Sequence, residues 1–250
     1  MTGLRQRLCC PAERKPMNQN GVILWQDRNT VAILTGLKRA SRNKATGAML
    51  QVFILYKHKH PVLAARGGLD KHVCGNCPRR PYLVKLKKDR GIDAPRKCYV
   101  ELAKSVGAVW ECFKRGNYPL WNRDTSMFEG KLIRWGAYGG PEKIPVGIVR
   151  EISEASDGWT GYTHQWQNPA VNKYRDFFMA STDSEAEHRE AKGLGWMSFR
   201  ALREQERLTR GEEMCMKSKE HEEACGYTLD CSSCLKCNGR SGDVGIVEHN

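Results

Sequence analysis

The sequence lacks a long apolar run. No stretch of about 18 consecutive apolar residues occurs in the 250-residue chain, so we predict no membrane-spanning helix. The first twenty residues, MTGLRQRLCCPAERKPMNQN, also lack the apolar segment of a secretory signal. They predict a flexible, polar leader over residues 1–20, with Met17 as a second candidate start. We therefore expect the protein in the cytoplasm, where disulfides are rare.

Acidic residues are scarce in the first half of the chain. Residues 1–130 carry 25 Lys and Arg against 9 Asp and Glu, whereas residues 131–250 carry 16 against 19. The net charge of +13 therefore comes from the first half, which favours nucleic acid as a partner, although a solvated basic surface would give the same count. The residues predicted to contact phosphates are Lys38, Arg39, Arg42, Lys44, Arg79, Arg80, Lys85, Lys87 and Lys88.

Strand and helix patterns alternate along the middle of the chain. TVAILTG and MLQVFILY predict strands, YLVKLKKDRG predicts a short extended segment, and residues 100–116 predict a helix. After these come a strand, a helix, two strands, a helix and a strand, which is typical of parallel βα units. We predict an α/β fold over residues 21–205, an incomplete or modified TIM-like parallel barrel, with an inserted cysteine knuckle at 74–98.

Eleven cysteines occur, and most of them are clustered. The first cluster is C74-x2-C77-x20-C98, and the second is C215-x9-C225-x5-C231-x2-C234-x2-C237. Closely spaced thiols in a reducing compartment indicate metal binding rather than disulfides. The predicted ligands are Cys74, Cys77, Cys98, Cys215, Cys225, Cys231, Cys234 and Cys237. Residues 206–250 are thus predicted to form a cysteine-rich, metal-binding tail.

The spacing leaves the metal open. Four thiolates in a tetrahedral array suit zinc, and three thiolates from one loop plus a fourth suit an iron–sulfur cluster. Zinc is the simpler interpretation. His72 is a possible fourth ligand in the first cluster, and His221 in the second. The two clusters could bind separate metals, or they could meet in one composite site.

Polar residues follow several predicted strands. In parallel α/β folds, functional side chains lie where strands end and loops begin. On this basis the candidate catalytic residues are Tyr138 in GAYGG, His164 in YTHQW and Asp183 in MASTD. His164 could act as a general acid or base, although a histidine held in a core hydrogen-bond network is the plainer interpretation. Asp183 could be a nucleophile or only the cap of the following helix.

Several of these segments together resemble a family of bacteriophage proteins related to the gene product eighty-eight group. The resemblance rests on VCGNCP with CYV, IRWGAYGGP, GYTHQW, FMAST and the final cysteine run, and it covers about residues 30–240. It implies a phage origin and a role in the cytoplasm of the infected host cell. Relatives more often carry an acid in the glycine-rich turn, as in GDP, where this chain has Gly139-Gly140-Pro141. If that acid is catalytic in them, the resemblance implies either that this chain lacks the activity or that the role falls to Asp183.

Two functions fit these patterns. The first is an enzyme acting on nucleic acid or a nucleotide precursor, similar at fold level to barrel enzymes such as base transglycosylases or radical-SAM enzymes. In the transglycosylase-like version Asp183 is the nucleophile, His164 the acid or base, and Tyr138 and Trp166 stack on a base. The radical-SAM version is weakened because the usual C-x3-C-x2-C run is absent. The second function is a non-enzymatic, zinc-stabilised protein that binds DNA or a host factor.

Overall fold

The structure, a computed structural model, describes residues 20–248, so all of the predicted leader except Asn20 lies outside the described residues. The strands are β1 Gly21–Gln26, β2 Thr30–Thr35, β3 Leu50–Tyr56, β4 Leu132–Tyr138, β5 Gly158–Thr160, β6 Tyr162–Thr163, β7 Met179–Thr182, β8 Ser198–Leu202, β9 Glu212–Met214 and β10 Asp243–Val247. The helices are α1 Pro61–Arg66, α2 Lys71–Cys74, α3 Pro81–Asp89, α4 Gly107–Lys114, α5 Val146–Glu154, α6 Glu185–Gly193, α7 Lys219–Cys225 and α8 Cys231–Cys234. A short π-helix precedes α4 at Leu102–Val106.

The strands form two five-stranded sheets, which confirms the predicted α/β class. The first sheet has the order β1-β2-β3-β4-β5 and the second β6-β7-β8-β10-β9. Strands β1, β2 and β3 pair antiparallel, whereas every pair from β3 onward is parallel. Only Gly161 separates β5 in the first sheet from β6 in the second. The chain therefore crosses from one sheet to the other without a loop.

Local sequence explains why several of these strands, turns and helices form. Strands β2 and β3 are apolar along almost their whole length, as expected for strands buried on both faces. The turn between β1 and β2 is closed by Asp27, whose Oδ1 accepts hydrogen bonds from the amides of Asn29 and Thr30 at 2.8 and 2.6 Å. The N-cap of helix α6 is Ser184, whose hydroxyl oxygen accepts a hydrogen bond from the Glu187 amide at 3.2 Å. The cap is thus Ser184 and not Asp183.

The prediction of an extended segment at YLVKLKKDRG is wrong, because most of these residues form helix α3. Pro81 occupies the first turn, where a missing amide hydrogen costs nothing, and the long side chains that follow favour a helix. The predicted helix at 100–116 is confirmed as the π-helix and α4, which stop just before Gly116. Strands β9 and β10 were not predicted; β10 lies between β8 and β9, so the segment 206–250 contributes to the second sheet.

One large hydrophobic core extends across both sheets. It includes the buried faces of β2, β3 and β4 together with α5 and the segment around Trp166, Tyr174 and Phe178. A smaller cluster surrounds Met179, Cys237 and Val244, next to Tyr162 and Phe199. The smaller cluster matters for function because it brings the cysteine-rich segment against the second sheet. None of the helices within residues 20–248 is both long and apolar enough to cross a membrane.

Candidate functional site

A cavity of about 680 Å³, here called the central cavity, opens between the parallel strands and the cysteine-rich segments. Its walls include mostly alternate residues of neighbouring strands: Arg134 and Tyr138 of β4, Thr160 of β5, Tyr162 of β6, Ser181 of β7, Phe199 and Ala201 of β8, and Val244 and Ile246 of β10. Successive residues of a strand point to opposite faces. The cavity therefore lies on one common face of these strands, and the opposite residues, such as Ile133 and Trp135, are fully buried.

Cys74, Cys77 and Cys98, here called the three-thiol set, line one part of the central cavity. Burial and the neighbouring thiols Cys77 and Cys98 raise the pKa of Cys74, and burial raises the pKa of Cys77 to about 12. The amide of Cys98 donates to the Arg79 carbonyl at 2.8 Å, which brings this distant cysteine to the knuckle. Three thiols from two segments of the chain thus line the same cavity.

Cys215, Cys231, Cys234 and Cys237, here called the four-thiol set, line the same cavity. Burial raises the pKa of Cys237, and the other three thiols of the set raise it further. Burial raises the pKa of Cys231 to about 11 even though Arg134 lowers it. Backbone hydrogen bonds attach this set to the parallel strands, from Gly161 to the Cys237 carbonyl at 2.9 Å and from Cys215 to the Gly245 carbonyl at 2.8 Å.

The cysteines lie in two groups, but their side chains are not arranged as a ready-made metal site. Among residues 20–248, no three His, Cys, Asp or Glu side chains come together closely enough to hold an ion. Cys225, a predicted ligand, is exposed at the end of α7 and does not line the cavity. The His72 ring stacks on Tyr56 at 4.9 Å, and the His221 ring meets Tyr227 edge-on; neither histidine lines the cavity.

His164 lies at the wall of the central cavity just after β6. Its Nε2 is 3.1 Å from the hydroxyl of Ser181 in β7. Burial lowers the pKa of His164 to about 4; Asp183 opposes this shift and Arg79 adds to it. The imidazole is therefore neutral at pH 7 and able to accept a proton from a bound group.

Asp183 forms its side-chain contact with the site through an arginine. Its Oδ1 accepts a hydrogen bond from Nε of Arg79 at 3.0 Å, and Arg79 also pairs with Glu248. Arg79 lines the central cavity, whereas Asp183 does not. Asp183 is thus placed to hold Arg79, and its predicted role as a nucleophile has no support from this geometry.

The two aromatic residues predicted to stack on a base, Tyr138 and Trp166, lie in different environments. Trp166 is 3% exposed and donates its indole N–H to the Ser181 carbonyl at 3.0 Å, so it belongs to the core and cannot stack on a base. Tyr138 does line the cavity, although only 6% of it is exposed. Burial raises the Tyr138 pKa, and the nearby Cys74 raises it further, so Tyr138 is a neutral hydrogen-bond donor beside the three-thiol set. Tyr99, Tyr162 and Phe199 complete the aromatic lining.

Glu142 is a candidate that the sequence prediction missed. It follows the glycine-rich turn after β4, and its carboxyl group folds back over Gly140, where a side chain would collide with it. The Thr163 hydroxyl donates to Oε2 at 2.9 Å, whereas Oε1 is buried without a hydrogen-bond partner. Burial raises the pKa of Glu142, which lines the central cavity. An acidic residue one position after Gly-Gly-Pro was the available signal in the sequence.

The predicted phosphate contacts fall into two groups. Lys38, Arg39, Arg42, Lys44, Lys85 and Lys88 are exposed, and Lys87 is half-buried. Arg79 and Arg80 point inward instead. Arg80 is 5% exposed and pairs with the buried Asp70 at 2.7 Å, so Arg80 is not available to nucleic acid. The exposed set lies in the loop between β2 and β3 and on α3, and no contact in the structure tests it.

Comparison of the chain with protein-family models, with curated proteins and with solved structures found no match. The functional interpretation therefore depends on the central cavity itself: two groups of thiols, a neutral histidine, a buried carboxyl group and the half-buried Arg79 around one space. The resemblance to phage proteins stays a prediction from sequence motifs.

Proposed function

We propose that the chain is a metalloenzyme whose active site is the central cavity. One observation carries this proposal: seven thiols from two distant parts of the chain line the same cavity as His164, Tyr138 and Glu142. Thiols that only filled space would have no reason to gather beside acid–base side chains. A cavity that combines soft metal ligands with groups able to move protons is the usual composition of a metal-dependent active site.

The two thiol sets fit two kinds of metal centre. The four-thiol set can satisfy a tetrahedral ion or a cluster completely, which is typical of a structural or electron-transferring centre. The three-thiol set leaves one position for a ligand from the cavity, which is typical of a catalytic centre. Both zinc and iron–sulfur clusters accept thiolate ligands, and a bound metal would supply Lewis-acid or redox chemistry there. Tyr138 and His164 would hold or move protons beside it.

We also propose that the parallel strands form an incomplete TIM-like barrel whose interior is the central cavity. Strands β3, β4 and β5 pair in parallel in the first sheet, and β6, β7, β8 and β10 do so in the second. Alternate residues of both sets face one space. In parallel α/β folds, side chains at the carboxyl ends of strands build the active site. Tyr138 and His164 lie at such ends, which supports their catalytic assignment.

The substrate in this proposal is nucleic acid or a nucleotide precursor in the cytoplasm of a phage-infected cell. The basic first half of the chain and its exposed loop between β2 and β3 favour a polyanion near the cavity. Asn43 and Ala45 of that loop line the cavity, so a strand bound to the loop would have access to it. The phage setting comes from the sequence resemblance alone.

The test is to purify the full chain without oxygen and to count zinc, iron and inorganic sulfide per chain. We expect thiol-bound metal, with a brown colour and sulfide if it is an iron–sulfur protein, or no colour if it is a zinc protein. Cys98→Ser and Cys234→Ser should each lose part of the metal. Cys225→Ser is the matched control and should lose none, because Cys225 is exposed and outside the cavity. A metal-free wild-type chain would overturn the proposal.

The second candidate is a non-enzymatic, zinc-stabilised protein that binds nucleic acid. It is favoured by one observation, the exposed lysines and arginines of the β2–β3 loop and α3. For a protein that only binds nucleic acid, the logarithm of the affinity falls with the logarithm of the salt concentration, with a slope of about one for each phosphate contact. His164→Ala should leave the affinity of such a protein unchanged. The enzyme keeps its fold in His164→Ala and loses turnover, so the two functions are distinguishable.

A further inference from the structure

Arg134 is a half-buried cation in the wall of the central cavity. It lies in β4 on the face shared with Tyr138, and its neighbours are Tyr99, Tyr162 and Cys231. Its guanidinium donates one side-chain hydrogen bond, to the Tyr99 hydroxyl at 3.0 Å. Within residues 20–248 no Asp or Glu forms an ion pair with Arg134. A guanidinium has five N–H donors, so most of its hydrogen-bonding capacity is available to a ligand.

Two other cations of the cavity are paired with carboxylates. Arg79 is held by Asp183 and Glu248, and Lys236 pairs with Glu213. A charge that is partly withdrawn from water is usually paired within the protein. The contrast between Arg134 and these paired residues indicates a ligand-binding role for Arg134.

The Glu142 carboxyl group is a second polar group of the cavity, and one of its oxygens lacks a hydrogen-bond partner. Oε1 of Glu142 is buried, has no hydrogen-bond partner and belongs to a residue that lines the same cavity. Tyr99, Tyr162 and Phe199 supply aromatic surface along the same walls. A ligand that satisfies these groups has an anionic end, an aromatic or apolar body, and a polar group that reaches Glu142.

We propose that the central cavity binds a small organic anion, with its phosphate or carboxylate on the Arg134 guanidinium, its body against the aromatic walls, and a polar group at Glu142. This inference rests on the proposed function, because it names the substrate class of the same active site. A guanidinium binds both phosphate and carboxylate through paired hydrogen bonds, so the chemistry is shared by nucleotides and aromatic acids.

The test uses the metal-loaded full chain and the fluorescent probe 8-anilinonaphthalene-1-sulfonate, which has an aromatic body and an anionic group. Adenosine monophosphate, adenosine, indole-3-acetate and inorganic phosphate are then titrated as competitors. We expect the monophosphate or the carboxylate to displace the probe, and the better of the two identifies the source of the anionic group. Adenosine should compete about 10- to 100-fold more weakly than the monophosphate if phosphate is the group bound.

Arg134→Gln should raise the dissociation constant of the competing anion about 10- to 100-fold, and Glu142→Gln should raise it less. Arg134→Lys should recover part of the affinity, because it keeps the charge and loses the paired geometry. Lys219→Gln is the matched control for charge. Lys219 is exposed, outside the cavity and paired with Glu223, so this variant should leave the constant unchanged.

Three results would overturn the inference. The first is equal affinity of wild type and Arg134→Gln for every anion, and the second is failure of all anions to displace the probe. The third is loss of metal from Arg134→Gln, which would make Arg134 a counter-charge for the Cys231 thiolate rather than a ligand anchor. The metal count of the wild type tests the proposed function separately, so failure of that function is recognised before any titration.

Discussion

At the scale of single residues, His164 defines what the central cavity can do. Its imidazole lies 3.1 Å from the Ser181 hydroxyl and close to the Arg79–Asp183 pair. Because burial is the main cause of its lowered pKa, the ring stays neutral over the physiological range. A neutral imidazole can accept a proton from a bound substrate, whereas an imidazolium could not.

We predict that the His164 ring does not titrate between pH 8 and pH 5. The folded-state pKa of about 4 lies below the ordinary value of 6.5. The neutral form is thus favoured in the folded protein, and the stability it contributes is lost as the pH falls from about 6.5 through 4. Proton NMR of the ring signals over this pH range is the measurement, and His164→Gln assigns the signal.

A His164 signal that moves with a midpoint near 6.5 would contradict this prediction, since that midpoint is the ordinary one for an accessible histidine. Asp183→Asn gives an independent check. Asp183 is the neighbour that raises the His164 pKa, so its neutralisation should move the midpoint to a lower pH.

At the scale of secondary structure, the cysteine knuckle depends on contacts with two strands of the cavity. The amide of Gly140, after β4, donates to the Val73 carbonyl at 2.8 Å. Gln165, after β6, accepts the Asn76 amide at 3.2 Å. Gly75 has φ +57°, and a Cβ there would lie 2.7 Å from the Gln165 side chain. The knuckle therefore needs glycine at this position for both conformation and space.

We predict that Gly75→Ala loses the metal of the three-thiol set and keeps the metal of the four-thiol set. The added methyl group collides with Gln165, so the segment between Cys74 and Cys77 shifts and the thiols separate. The measurement is metal per chain, which should fall by about half if each set holds one ion.

Gly91→Ala is the matched control for this prediction. Gly91 has φ +67°, similar to Gly75, but no atom lies within 4 Å of a Cβ placed there. Both variants place a Cβ at positive φ, but Gly75 has ψ −129°, outside the left-handed helical region, so Gly75→Ala adds both a more strained conformation and the collision. Equal metal content in the two variants would show that neither this conformation nor the contact with Gln165 shapes the knuckle.

At the scale of the whole molecule, residues 212–247 complete the second sheet. Strand β10 lies between β8 and β9, and a buried ion pair joins these two strands on either side of it. Arg200 of β8 donates to Glu212 of β9 at 2.8 and 2.6 Å, and both side chains are almost fully buried. Burial opposes ionisation of Glu212, but hydrogen bonds from Arg200 and Thr209 outweigh it and lower its pKa to about 2.

We predict that acid removes the contribution of this pair to stability. The folded-state pKa of Glu212 lies below its ordinary value of 4.5, so the stabilisation is present above that pH and is lost as the pH falls to about 2. Glu212→Gln should cost about 3 kcal/mol at neutral pH, because it leaves Arg200 buried with a weakened partner. Urea unfolding at several pH values measures both effects.

The control for the ion pair is Glu223→Gln. Glu223 and Lys219 form an exposed pair on α7, so its loss should change the free energy of unfolding by less than about 1 kcal/mol. If Glu212→Gln is as stable as the control, and as sensitive to acid as the wild type, the pair does not hold β8 and β9 in place.

The thiols show how far sequence reasoning reaches into the site. The spacing of Cys74, Cys77 and Cys98 predicted their proximity, because a C-x2-C turn brings its two thiols to one side. The exclusion of Cys225 could not be predicted, because it depends on the direction in which α7 leaves the sheet. Glu142 was missed as well, since its significance comes from lacking a hydrogen-bond partner, and partners are set by distant residues.

The sequence by itself determined the α/β class, the positions of most strands and of helices α4, α5 and α6, and the two groups of cysteines. These follow from local rules of hydrophobic period, turn chemistry and spacing, which act within about twenty residues. Only the tertiary structure decided that both groups of thiols face one cavity, that Trp166 and Arg80 belong to the interior, and that β10 inserts between β8 and β9. Those outcomes depend on contacts between residues far apart in the chain, where packing and burial select one arrangement from many that local preferences allow.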